Sequence, residues 1–298
     1  MRTTHRSNHL DRLYFSQDSW ARRRERWVGR ADRQGSFARG NDEIVQEAVA
    51  DEESGLRVVL NLGVHALLRL LPDGRYVNLY ERPVIGGSPR RPSPSRRQVD
   101  HLFGLVGRDT YFAAVALGGA GVRFYGEYCL VLHLDEIDDD PQIVDRDSYD
   151  VLLPPLAEQS DKHAVVAAIT GRWQRDRHDI VALKVLPEIT HLRNLVTTGT
   201  VSELVLKDQE FIEVHLRPGK SGSDERGGFG RKQVLEVRQS PDEVAVAARI
   251  VERERAGEVL PAVDDEWMLR RESAERVLAR AGVPVRVVTT HGRGYQWK

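Results

Sequence analysis

Two dense apolar runs constrain this chain more than any other feature: Leu56 to Leu62 (LRVVLNL) and Tyr111 to Leu117 (YFAAVAL). Both are strand-sized, and continuous apolarity without alternation predicts strands buried on both faces. The longest apolar stretch, Tyr111 to Val122, is broken by glycines and falls well short of the ~20 residues needed to cross a bilayer, so no membrane anchor is expected. Around these runs lie 298 residues that are 40% apolar and 30% charged, a balance that excludes a disordered chain and fits one large domain or two modest ones. Cys129 is the single cysteine, which excludes an intramolecular disulfide and a multi-thiolate zinc site. The opening MRTTHRSNHLDRLYF carries charge without an apolar run, so no secretory signal and a cytoplasmic location are expected.

Further strands are predicted at Tyr76–Tyr80, Arg123–Leu134, Asp179–Val185, Glu203–Leu206, Phe211–Leu216, just after Gln233 and at Val285–Thr290. Helical spacing is predicted for Asp42–Asp51, Val64–Leu71, Gln98–Val106, Asp161–Arg175, Ile189–Leu195, Pro241–Arg255 and Trp267–Arg280. Loops are expected at Pro89–Arg97 (PRRPSPSRR) and Arg217–Lys232, where proline, serine or glycine dominate. Strands and helices in irregular order predict an α+β fold. Three units are expected: a basic helical segment over 1–40, an α+β core over 41–240 and a helical extension with a final strand over 241–298.

A net charge of −1 conceals strong segregation along the chain. Residues 1–40 are rich in arginine, and Arg22, Arg23, Arg24 and Arg26 stand at helical distances from Trp20 and Trp27. Such a face could hold phosphates and stack on bases; the plainer reading is an amphipathic helix whose tryptophans dock on the body. The acidic counterpart is Leu134–Asp150 (LDEIDDDPQIVDRDSYD), which lacks the EF-hand pattern and reads as a solvated loop, with a metal-dependent nuclease as the alternative use of its acids.

Familiar nucleotide motifs fail on spacing. Gly118-Gly119-Ala120-Gly121 follows a strand, but Phe124 stands where a dinucleotide fingerprint needs glycine, and a strand rather than a helix is expected next. No Walker A loop, HExxH, ExK or DxK sequence is present. What remains is an ordered set: His65 after the first strand, Tyr111-Phe112 opening the next, Tyr125-Gly126-Glu127-Tyr128-Cys129, Val144–Asp150 (VDRDSYD), and Ser202-Glu203-Leu204-Val205-Leu206-Lys207-Asp208. This set, spread over Leu56–Leu216, resembles the His-Tyr-Glu variety of the ADP-ribosyltransferase fold, including its toxin and defence branches. The resemblance implies a split, mixed or antiparallel sheet with flanking helices, NAD as the substrate, and ADP-ribosyl transfer, with a nucleic acid as acceptor in a toxin or phage-defence setting. It implies Glu203 as the catalytic carboxylate, with Glu213 as the rival, and His65, Tyr111 and Tyr125 as NAD-binding residues. An antitoxin or other partner protein would accompany such an activity. The alternatives of another class are a non-catalytic nucleic-acid-binding or protein-interaction module using the basic arm, and the metal-dependent nuclease.

Overall fold

The computed structural model describes residues 18–50, 55–64, 66–68, 76, 92–106, 110–189, 198–205, 210–217 and 229–288. Its helices are α1 (Trp20–Arg33), α2 (Ala38–Ala50), α3 (Pro94–Leu102), α4 (Lys162–Ile169), α5 (Trp173–Ile189), α6 (Thr198–Val205), α7 (Pro241–Arg255) and α8 (Ala262–Ala281). Its strands are β1 (Leu56–Leu62), β2 (Tyr111–Leu117), β3 (Tyr128–Leu132), β4 (Gln142–Val144), β5 (Thr170–Arg172), β6 (Glu213–Leu216), β7 (Val234–Gln239) and β8 (Val285–Val287). The strands join in the order β5-β4-β6-β2-β1-β3-β7-β8. Every pairing is antiparallel except β7 with β8, which is parallel because α7 and α8 form the crossover between them. The fold is therefore α+β with a mixed sheet and flanking helices, as expected. Where the resemblance implied a split sheet, the described strands run as one continuous sheet.

The two apolar runs occupy the centre of that sheet, where β1 pairs with both β2 and β3. Alternation divides their side chains between two unlike faces. Val58, Leu60, Leu62, Tyr111, Ala113, Val115 and Leu117 join the main core beneath α1, α2, α5, α6 and part of α8. Val59, Ala114, Ala116, Cys129 and Val131 form a smaller cluster on the opposite face. Residues on both sides of the expected boundaries at 40 and 240, among them Val28, Val45, Val237 and Leu278, share the main core.

Local chemistry explains where the chain departs from expectation. The proline–serine run begins a helix instead of remaining a loop: Ser93 accepts a hydrogen bond from the Arg96 amide and Pro94 sits in the first turn. Asp179–Val185, expected as a strand, lies inside α5, which is surrounded by the sheet, α1, α2 and α6, so its β-branched residues report burial and not extension. Glu203–Leu206 is likewise not a strand where it is described; α6 runs to Val205 and seats Val201 and Val205, one turn apart, in the core. Residues 123–125 form a 3-10 turn before β3.

The glycine cluster is a tight connection from β2 towards that turn. Gly118, Gly119 and Gly121 all have φ near +65°, a region costly for other residues. A Cβ on Gly121 would lie 2.0 Å from Asn61 Oδ1. Asn61 in turn donates to the carbonyls of Ala120 (2.9 Å) and Gly126 (3.0 Å). These residues serve a close backbone approach.

Arg123 fixes the 3-10 turn from the other side. Its guanidinium reaches Glu243 Oε1 at 2.7 Å and Asp242 Oδ2 at 3.0 Å at the start of α7, with the Arg123 and Glu243 side chains both buried. Arg123→Ala leaves Glu243 buried without its partner, and the expected loss is about 3–5 kcal/mol of unfolding free energy. A urea titration measures it; a loss below about 1 kcal/mol would place this pair with ordinary surface ion pairs.

Candidate active site

Among the described residues, the second face of the sheet is only partly covered. At the β4–β6 side α3 and α4 pack on it through Val99, Phe103, Val166 and Ile169, and at the β3–β7 side Arg123 pins the 3-10 turn to α7. Between them opens a cavity of about 330 Å³. Its floor is Val59, Asn61, Phe112 and Ala114, and its walls include Arg96, Tyr125, Asp147, Tyr149, Phe211 and Glu213.

Glu213 enters through strand alternation. Val214 and Leu216 point into the main core, so Glu213 and His215 face the cavity side, opposite Ala114 and Phe112 of β2. Glu213 is buried. Its Oε2 accepts from the Ser148 amide at 2.6 Å, and its Oε1 lies 3.5 Å from His215 Nε2. The other nitrogen of His215 is 3.0 Å from Gln142 Oε1, and the ring stands edge-on to Phe103 and Phe112.

Asp147 comes from the loop that opens the 3-10 segment Ser148–Leu152, where its Oδ1 accepts from the Tyr149 amide at 2.9 Å. Consecutive amides, those of Ser148 and Tyr149, thus hold the two carboxylates beside one another. Arg96 is the cation of the site. It is bound to Asp100 at 2.7 Å and stacked 3.7 Å over the Phe112 ring, so much of its charge is already answered and the cavity keeps an acidic balance.

The two acids titrate apart. Burial alone would raise Glu213, but His215, the Ser148 amide and Arg96 together outweigh it and hold the carboxyl below its ordinary range. For Asp147, burial, then the Glu213 charge and then Asp150 prevail over the Tyr149 amide and Arg96, pushing it up to about 6. Burial, followed by the Asp147 and Glu213 charges, raises the Tyr125 phenol as well. One carboxylate kept ionised beside one poised near neutrality is the electrostatic pattern of an acid–base site.

Of the residues expected from the sequence, the structure brings Glu213 and Tyr125 to this cavity. Tyr125 is half-exposed at its rim, edge-on to Phe211 at 5.9 Å. Tyr111 does not line the cavity; it lies in the main core with its ring 5.8 Å from both Tyr76 and Phe229. Glu203 is exposed on α6 and absent from the cavity wall, because a helix and not a strand carries it. His65 lies outside the described residues.

Sequence reasoning missed Arg96, and it reached Asp147 and Tyr149 only as members of the VDRDSYD run, without assigning either a role. Asp147 was concealed in an acidic run whose other members have local tasks: Asp138 accepts from the Arg217 amide and Asp140 from the Gln174 amide. Among the described residues, no group of three or more His, Cys, Asp or Glu side chains is arranged to hold a metal ion. The mixed aromatic and cationic face expected of α1 is divided as well. Trp20 and Arg23 are buried, bonded to the carbonyls of Thr170 and Ala168. Trp27 packs on the core, and Arg24 pairs with Asp179 at 3.2 Å. Arg22 remains exposed, and Arg26, also exposed, pairs with Asp18. No helix among the described residues is long and apolar enough to cross a membrane. No protein-family model matches the chain, and no curated protein matches it.

The raised Asp147 has a consequence for stability. A carboxyl whose folded pKa lies above its unfolded value costs stability as pH rises from about 4 through about 6. Asp147→Asn keeps an oxygen to cap Tyr149 but removes that charge. The variant is expected to melt with the native chain at pH 4 and above it at pH 8, as followed by calorimetry; equal melting at both pH values would contradict the placement of Asp147.

Proposed function

We propose that this cavity cleaves an N-glycosidic bond to a cationic base, in the manner of ADP-ribosyl transfer from NAD. The observation that carries the proposal is an aromatic-walled cavity holding two carboxylates of divided acidity, Glu213 and Asp147. A pyridinium-type base attached to ribose is attracted by carboxylates and by ring faces alike. As the C–N bond breaks, its electron pair neutralises the base and positive charge moves to the ribose, where an ionised carboxylate stabilises it. Glu213 fits that role: strand β6, the Ser148 amide and His215 fix it before any substrate arrives. Tyr125 at the rim supplies a stacking surface. The acidic balance favours the cationic end of a dinucleotide inside and its pyrophosphate outside.

Glu213→Gln is expected to lower nicotinamide release from NAD by at least about 10²–10³-fold while NAD binding is kept. Retained release in Glu213→Gln together with its loss in Glu203→Gln would return the carboxylate to α6, and retained release in both would remove the glycosidic reading.

A second observation favours nucleic acid as a partner, either as acceptor or, if the cavity is not catalytic, as the ligand of a binding module. Arg22, Arg26, Arg30 and Arg33 stand exposed along one side of α1, a ridge of about 16 Å at 1.5 Å per residue. Because both tryptophans turn inward, the ridge offers phosphate contacts without base stacking. Replacing these four arginines with glutamine should lower the slope of log affinity against log salt by up to about 3–4, at about 0.9 per phosphate contact. Unchanged slope in a salt titration with duplex and single-stranded DNA would exclude the ridge.

A further inference from the structure

We infer that Asp147 is the base that takes the proton from the incoming acceptor, an inference that rests on the glycosidic reading of Glu213. Three features place it there. Asp147 and Glu213 line one cavity. Adjacent amides of one loop, those of Ser148 and Tyr149, donate to them. They are also unequally placed: Glu213 is buried, with Oε2 accepting from the Ser148 amide and Oε1 3.5 Å from His215 Nε2, whereas Asp147 is half-buried and its described hydrogen bond uses Oδ1.

The division of labour follows from the chemistry. A cationic base leaves as a neutral molecule once it takes the C–N electron pair, so no acid is needed on the leaving side. The incoming group is different. A water or hydroxyl oxygen that bonds to the ribose carbon must give up a proton, or it remains an oxonium. Asp147 receives that proton as the new C–O bond forms and later releases it to solvent; the electron pair of the new bond comes from the acceptor oxygen.

The groups facing Asp147 are Glu213 from β6, Arg96 from α3, Asp150 of its own 3-10 segment, and the phenols of Tyr125 and Tyr149. Burial discourages its ionisation most, and the two acids add to that more than Arg96 takes away. A base of this kind works only when deprotonated, so turnover should rise with pH through about 6 and level off above.

The test uses the full chain with NAD and water or an added hydroxyl acceptor. Asp147→Asn is expected still to bind NAD, to slow turnover at saturating NAD about 10²–10⁴-fold and to lose the rise near pH 6. Azide, which attacks without surrendering a proton, should restore turnover in Asp147→Asn and give the azido sugar. Full activity and an intact acid limb in this variant, or a loss that azide does not repair in a chain that still binds NAD, would overturn the role of Asp147. Glu213→Gln separates the two ideas: it should stay inactive with azide as well as with water. If Glu213→Gln is inactive and Asp147→Asn is not, the base assignment alone fails; if the native chain or Glu213→Gln shows that the carboxylate is not required, the glycosidic reading fails with it.

Discussion

The hydrogen bond from the Ser148 amide to Glu213 is the contact on which the proposed site depends. It joins the sheet, through β6, to the loop that carries Asp147 and Tyr149. Without it, a fully buried carboxylate would lack a neutral donor, and the loop would lack its anchor on the sheet. Arg96 reinforces the same junction through its stacking on Phe112 and its approach to the Tyr149 ring at 5.3 Å. The result is a charged cluster in which backbone geometry, not side-chain choice alone, sets how far apart the acids sit.

That cluster is possible because the sheet has unlike faces. The helix-covered face takes nearly all the large apolar side chains, so the opposite face of the same strands is free to carry Asn61, Glu213 and His215. The central strands show no outward sign of this division, since small residues such as Ala114 and Ala116 are as buried as their neighbours. Small side chains there leave room above the floor, and the room becomes the cavity.

How much of this was legible in the sequence varies with the kind of signal. The runs at 56–62 and 111–117 announced strands because continuous β-branched and small apolar residues over that length suit a sheet interior. The same composition at 179–185 misled, because a helix segment packed among other elements is as apolar as a central strand and local pattern cannot separate them. Glu213 was readable as a carboxylate in a strand but not as a member of a pair. Its partner lies 66 residues earlier, as the positions 147 and 213 give, in a run where acidic neighbours obscure it. Pairings of that kind arise from topology, and β4 and β6 become neighbours only once the sheet is assembled.

Among the described residues, the sheet ends on both sides in short strands. β5 and β8 are each three residues long, and Arg286 of β8 is paired with Glu236 of its neighbour at 3.0 Å. Short, charge-bearing margins give a foreign strand too few hydrogen-bonding groups to continue the ladder. A broad sheet rich in valine and leucine would otherwise invite stacking of one copy onto another, and the molecule counters that tendency at the positions where such growth would begin.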